Sequence, residues 1–278
     1  SATITVPIRR LRDQAHAILD PRGRLLGGFV PSRARDEVGE LSRSLGELIG
    51  RLQKHMRLVE SFATDVSHEL KNPLASIRAA AELALSSEDP AERHAMLTMV
   101  LQDVSRMERL LTGVGEISRI DSGAATERTT EAVSVRTVAE GVIDAARLRG
   151  RGAAPILRLT GKDASVWVPP GRLQQVLENL LENAVSFSPP GTTVTVSVER
   201  EQRDAVIRVS DEGSGIPEEH RERIFERFFS FRPDEEKGAH AGLGLAIVKS
   251  IAESYGGRVR IVPCTGPGAC FEVRLPAA

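Results

Sequence analysis

"VSHELKNPLAS", Val66–Ser76, sets His68 and Glu69 beside Asn72 and Pro73. The spacing around it decides how the chain is read. Val38, Leu41, Leu45, Leu48, Leu52, Val59, Phe62 and Val66 recur every three or four residues, which marks one apolar stripe along a helix. The stripe runs unbroken into the quoted stretch, and the helix is expected to end near Ser86–Glu88. Such a seam cannot be buried by one helix, so it predicts a parallel dimer. Asn72 lies one turn past His68, so both can face one site. Pro73 removes a backbone N–H and is expected to bend the helix just past the histidine.

Upstream, Ile4, Ile8, Leu11, Ala15 and Ile18 alternate spacings of four and three, a second coiled-coil seam with Pro7 in its first turns. "DPRGRLLGGFVPSR" connects the two seams, with Leu26, Phe29 and Val30 as apolar anchors, and "DEVGEL" opens the second register. Downstream, Asp89, Pro90 and Glu92 read as N-cap, N1 and N3 of a further helix, a capping box. Leu97, Val100, Leu101, Val104, Met107, Leu111, Val114 and Ile117 give that helix its apolar face. Two helices joined by a short turn form a hairpin, and two hairpins make a four-helix bundle. "DSGAATERTTEA", near residues 121–132, reads as a linker.

The totals fit this plan. The 278 residues suffice for two or three small domains. Aromatics are only 4%, which suits helices packed through Leu, Ile, Val and Ala. A net charge of -1 does not favour a nucleic-acid partner. Cys264 and Cys270 have no further ligands beside them, which argues against a zinc site and for a reducing cytoplasm. No apolar run reaches the length of a membrane span, and no signal peptide is evident. The chain itself is therefore expected to be soluble.

After the linker the texture changes. "PILRL", "SVWV", "TVTVSVE", "AVIRVSD", "RVRIV" and "CFEVRL" read as strands. "GRLQQVLENLLENAVSF" and "GLGLAIVKSIAESYG" read as helices, and the mixture predicts an α+β sandwich. Four stretches in it carry chemistry. Asn179 and Asn183 share a helix face, and their amide oxygens are hard neutral ligands suited to Mg2+. In "DEGSGIP", Asp211 ends a strand, where a carboxylate can accept an exocyclic amine, and Gly213 and Gly215 permit close backbone approach. In "ERFFSF", Phe228 and Phe229 read first as core aromatics. In "GLGLAIV", Gly242 and Gly244 expose N–H groups at a helix start, a phosphate site. "SFRPDEEKGAHA" between the last two is polar and long enough for a lid.

Each signal is weak alone; their order is specific. The four stretches resemble the N, G1, F and G2 boxes of the histidine-kinase ATP-binding domain. "GPGACFEVRLP" is similar to the closing G3-like strand, and "SHELKNPL" resembles an H box. Over nearly all its length the chain resembles a two-component sensor histidine kinase, and its wording is most similar to the ChvG-type branch. The N-terminal piece, with Pro7 and "DEVGEL", looks like a HAMP relay domain. The resemblance implies three domains: a HAMP-like coiled coil over 1–54, a dimerising phosphotransfer hairpin over 55–122, and an α+β ATP-binding domain over 123–278.

It also implies roles. His68 would be the phosphoacceptor. Glu69 would hold the other ring nitrogen and take its proton, and Asn72 would orient water for dephosphorylation. ATP and Mg2+ would be the cofactors. Asn179 would contact phosphate, Asn183 would hold the metal, and Phe187 would pack on the nucleotide. Asp211 would read adenine beside Gly213 and Gly215, and Gly242, Leu243 and Gly244 would cradle phosphates. The partners implied are a second copy of the chain and a response regulator with an OmpR-like receiver, docking near Ser76 and Arg78. The full-length protein would be anchored in the inner membrane N-terminal to residue 1, this chain being its cytoplasmic part.

Three positions depart from the family pattern. Ser186 and Ser230 stand where many relatives carry basic residues, and His240 replaces a glycine. Arg232 or Lys237, in the lid, could compensate. The alternatives are a signalling scaffold that binds nucleotide without transferring phosphate, and a chaperone or mismatch-repair ATPase of the same fold. The histidine hairpin argues against the latter.

Overall fold

The computed structural model describes residues 8–9, 12–13, 29–32, 34, 36–121, 131–149, 155–231, 242–264 and 266–278. Most of the expected N-terminal helix, Leu26, the linker over 122–130, and Arg232, Lys237 and His240 of the expected lid lie outside these residues. The chain divides into two compact units, Ser1–His68 and Glu69–Ala278.

In the first unit a long helix, α1 (Glu37–Ser86), begins at Asp36. The Asp36 carboxylate accepts the Gly39 N–H at 2.9 Å, the bond that starts the helix. The Ser32 N–H donates to the buried Ser42 hydroxyl at 2.8 Å, tying the incoming segment to the first turns. Phe29 and Pro31 close over Gly46, where a Cβ would lie 2.9 Å from Pro31 Cγ and 3.1 Å from Phe29 Cδ1. Phe29 is thus the anchor expected of the connector. Val30 is not, being 72% exposed, because the next side chain of an extended segment points the opposite way. Leu41, Leu48, Leu52 and Val59 of the seam are exposed in the single chain.

In the second unit α1 runs on to Ser86 with Pro73 inside it, as the apolar period requires. A turn leads to α2 (Pro90–Asp121). Asp89 caps α2 as expected, accepting the Ala91 N–H at 2.9 Å. The reciprocal half of the capping box differs. Glu92 accepts from the Ser87 hydroxyl at 2.9 Å, and that hydroxyl accepts the Asp89 N–H at 3.2 Å. Ser87 therefore stands between the two partners of the box. Across the hairpin, Arg106 meets Glu69 at 3.3 Å.

The remaining elements form one α+β body: β1 (Val133–Ser134), α3 (Val135–Arg149), β2 (Ile156–Gly161), β3 (Ser165–Val166), α4 (Pro170–Phe187), β4 (Thr193–Glu201), β5 (Asp204–Ser210), α5 (Gly244–Ser254), β6 (Arg258–Ile261) and β7 (Cys270–Pro276). Five strands make a mixed sheet in the order β2-β4-β5-β7-β6, with β2 and β4 parallel and the other pairs antiparallel. Period-two alternation puts Val194, Val196 and Val198, then Ile207 and Val209, then Phe271, Val273 and Leu275 on the helix side. Leu173, Val176, Leu177, Leu180 and Leu181 of α4 and Val248 and Ile251 of α5 pack against them. Leu110 and Ile117 of α2 join the same core.

Helix α3 was not among the helices read from sequence. Its buried positions, Val135, Ala139, Val142 and Ile143, do keep a helical period. On the outer face of the sheet Glu272 is only 2% exposed and sits beneath arginines. Its oxygens lie 2.9 Å from Arg208, 2.7 Å from Arg260 and 2.7 Å from Arg274. Burial alone would raise its pKa; the hydrogen bonds from Arg274, Arg260 and Arg208 outweigh it and hold the carboxyl at about 2.

Candidate nucleotide site

One end of the sheet, the start of α5 and the sides of α4 and α2 enclose a cavity of about 690 Å³. Asn179, Asn183, Phe187, Asp211, Gly215, Gly242, Leu243 and Gly244 line it. With Phe229 and Ser230, which also line it, four stretches of the sequence meet at one place. Gly213 does not line it but shapes its wall, since a Cβ there would lie 2.5 Å from Phe187 O. Arg232 falls outside the described residues.

Helix α4 turns both asparagines to the same side. Asn179 donates its amide to Gln175 O at 2.8 Å, which fixes its orientation. Its Oδ1 would lie 2.8 Å from a Cβ on Gly244, so the start of α5 can approach this closely only as glycine. Leu243, at the N-cap of α5, forms no side-chain cap. The first-turn N–H groups are thereby left for an anion. Gly242 has φ +66°, and a Cβ there would lie 2.7 Å from the Phe228 carbonyl carbon. Phe228 itself adopts φ +61°, a strained value for a side chain of its size.

Asp211 follows β5 and is 4% exposed. Its Oδ1 accepts the N–H groups of Gly213 at 2.9 Å and Ala269 at 3.1 Å. No such bond engages Oδ2 among the described residues. Burial raises the pKa of this carboxyl, and the two backbone bonds only partly offset it. Gly268 carries φ +100°, and a Cβ there would lie 2.0 Å from Asp211 O. Gly268 and Ala269, which hold the Asp211 carboxylate in place, are not singled out by the sequence reading, although "GPGACF" hints at them. Ser186 turns its hydroxyl back to Asn183 O at 2.9 Å, while Ser230 lines the cavity. Phe229 also lines it, braced by Arg223 4.5 Å from its ring centroid and by His220.

The sequence did not reveal that α2 forms a wall of this cavity. Glu116 of α2 pairs with Arg172 of α4 at 2.7 Å and accepts from Gln175 at 3.5 Å. Gly113 lies against Leu243, whose Cδ1 would be 2.8 Å from a Cβ at that position. No sequence period could have shown this contact, which depends on how α2 meets α4 and α5.

The residues of the opening stretch lie on α1. His68, the last residue of the first unit, is exposed. In the second unit Glu69 is half-buried against Arg106 and Asn72 is exposed. Neither Glu69 nor Asn72 lines the cavity.

The donor set fits a nucleotide: a carboxylate at one end, amide oxygens and uncapped N–H groups at the other. Among the described residues no cluster of three or more His, Cys, Asp or Glu could cage a metal. An asparagine amide oxygen of α4 would hold a Mg2+ ion here, and the ion would supply charge to offset the phosphates.

Comparison with known proteins agrees with the geometry. Residues 58–123 match the His Kinase A (phospho-acceptor) domain, and residues 169–278 match the histidine kinase-, DNA gyrase B- and HSP90-like ATPase family. The sensor protein ChvG of Agrobacterium fabrum is 35% identical over 100% of this chain and 49% of its own length. The chain spans about half the length of the ChvG proteins it matches. A mycobacterial sensor histidine kinase, MprB, is 30% identical over 54% of this chain and 98% of the solved chain, with a TM-score of 0.47. The Acinetobacter baumannii histidine kinase AdeS, 22% identical over 75% of this chain and 97% of its own with a TM-score of 0.59, shares the fold. With a His Kinase A (phospho-acceptor) hairpin followed by a histidine kinase-like ATPase body, and a sensor protein similar to it over its whole length, the chain belongs to the sensor histidine kinase family.

Proposed function

We propose that this chain autophosphorylates His68 from Mg2+–ATP and passes the phosphoryl group to an aspartate of a response regulator with an OmpR-like receiver. The observation that carries the reading is the convergence of Asn179, Asn183, Asp211, Gly242 and Gly244 on one cavity of about 690 Å³. That volume lies within the roughly 300–1,000 Å³ typical of small-molecule sites.

When bound, Mg2+–ATP supplies the γ-phosphoryl group and the charge neutralisation that its transfer needs. Asp211 accepts the adenine amine through Oδ2, while Gly213 and Gly215 keep the wall thin. Phe187 packs on the nucleotide. Asn179 contacts phosphate and Asn183 holds the metal. Gly242, Leu243 and Gly244 present backbone N–H groups to the phosphates, and Arg232 adds charge from the lid. His68 offers an imidazole nitrogen as nucleophile. Glu69 takes the proton from the other ring nitrogen, and Asn72 orients water when the regulator is dephosphorylated.

The seam exposed on α1 supports a parallel homodimer; the domains of this reading are a HAMP-like relay over 1–54, a phosphotransfer hairpin over 55–122 and an ATP-binding domain over 123–278. The regulator docks on the hairpin near Ser76 and Arg78. The 35% identity to ChvG supports a place in the ChvG-type branch, with a membrane anchor preceding residue 1 in an inner-membrane protein.

The test is incubation of the chain with Mg2+ and γ-labelled ATP, beside a His68→Ala variant. Acid-labile, base-stable label on the parent alone is expected. ATP binding with no label on either chain would favour a nucleotide-binding scaffold. One feature leans that way: the Ser186 hydroxyl is turned onto its own helix rather than toward phosphate.

A further inference from the structure

We propose that α2 belongs to the nucleotide site and that Arg109 on it binds the polyphosphate. The inference deepens the kinase reading and rests on it. The cavity is strongly acidic for a site that must hold a polyanion. Glu108, Glu116, Glu178, Glu182 and Asp211 all line it, and among the described lining residues Arg109 is the only Lys or Arg. Glu116 is neutralised by Arg172 and Arg119, and Asp211 faces the opposite, adenine end in the proposed pose. Glu108, Glu178 and Glu182 remain to repel phosphate.

Position supports the assignment. Gly113 abuts Leu243, at the uncapped start of α5 where phosphates would lie. Arg109 precedes Gly113 by four residues, so both occupy one face of α2 a single turn apart. A long helical side chain leans toward the N-terminus of its own helix, over the turn that Ser105 and Glu108 share with the cavity. Arg109 is exposed, and no hydrogen bond or ion pair engages it among the described residues. A free planar guanidinium is suited to bidentate contact with phosphate oxygens.

The contact has a consequence for signalling. Arg109 lies on the hairpin and the other ligands lie on the α+β body. A polyphosphate held by both favours the docked arrangement, and docking favours the polyphosphate by the same factor. Adenosine, which lacks the anion, is indifferent to α2.

The experiment measures calorimetric affinities of the whole 278-residue chain and its Arg109→Ala and Arg109→Lys variants for Mg2+–ATP and for adenosine. Loss of one charge-assisted phosphate contact is expected to weaken ATP about tenfold or more in Arg109→Ala. Lysine should restore part of that loss, and adenosine affinity should not change. Equal weakening of ATP and adenosine, or unchanged ATP affinity beside a parent that binds ATP, overturns the assignment alone. A parent that binds no ATP overturns the kinase reading with it.

Discussion

Asp211→Asn separates recognition from folding. In the parent, Oδ1 is committed to the N–H groups of Gly213 and Ala269 at 2.9 and 3.1 Å, and in the proposed reading Oδ2 takes the adenine amine. Asparagine can keep the two backbone bonds through its oxygen. It then turns an NH2 group toward the amine, donor against donor. A hydrogen bond to a charged group contributes about 1.5–3 kcal/mol, so the variant should bind Mg2+–ATP roughly 10- to 150-fold more weakly. Stability should move the other way or not at all. Burial raises the pKa of this carboxyl, so keeping it ionised near neutral pH costs stability. A group with a raised folded pKa adds stability below its unfolded value and loses it as pH rises through the folded one. The neutral amide removes that cost. Calorimetric titration with Mg2+–ATP and a thermal melt without nucleotide together test the argument. ATP affinity within twofold of the parent, or a clearly lower Tm with the same affinity, would refute it.

Glu272→Gln should destabilise the chain, because three arginines are left around a neutral amide. A carboxyl drawn from 4.5 to about 2 carries roughly 3 kcal/mol at neutral pH. That contribution is present above about pH 5 and fades as pH falls toward 2, so parent and variant should converge in acid; denaturant melts at pH 7 and pH 3 check the sign. Gly268→Ala meets both φ +100° and a Cβ 2.0 Å from Asp211 O, and should lower Tm and ATP affinity together. Gly141→Ala meets nothing within 4 Å on α3, and should raise stability by about 1 kcal/mol with unchanged ATP affinity. One residue inserted at Gly50 turns the downstream face of α1 by about 100°, and is expected to shift the balance of kinase and phosphatase activities; an unchanged balance would count against a rotational relay.

Much of this fold was legible because its elements keep one period for long stretches. Seam residues from Val38 to Val66 announce α1, and Val194, Val196 and Val198 announce β4 by alternation. Helix α3 escaped because its start, Val133 to Val138, mixes β-branched residues at spacings that a strand also shows. The candidate site was legible wherever glycine or asparagine stood at a forced position. Gly244 must lack a Cβ because Asn179 Oδ1 fills that space, and Gly242 must carry a positive φ. What could not be read was any part of the site made by packing between elements. Nothing local in "SRMERLLTGVGE" marks Arg109, Gly113 and Glu116 as a cavity wall. Their role follows only once Glu116 meets Arg172 and Gly113 meets Leu243.

The apolar side chains left uncovered carry a second argument. Leu74, Leu83, Leu97, Leu101 and Leu111 are exposed on the hairpin, and Leu85 is 88% exposed. On the same hairpin Leu110 and Ile117 are fully buried against the α+β body. Helix α2 therefore has two apolar faces with different fates, one covered within the chain and one open. Scattered exposed leucines need no explanation, but Leu97, Leu101, Val104 and Leu111 keep helical spacing along one face of α2, and that row does. Burying a leucine contributes about 1.5–3 kcal/mol, so covering several of them with a second hairpin supplies enough to hold two chains together. The face buried against the α+β body is not the face left for the partner. A change in how the two hairpins pack can therefore reach Gly113 and Glu116, which wall the cavity, through the body of α2.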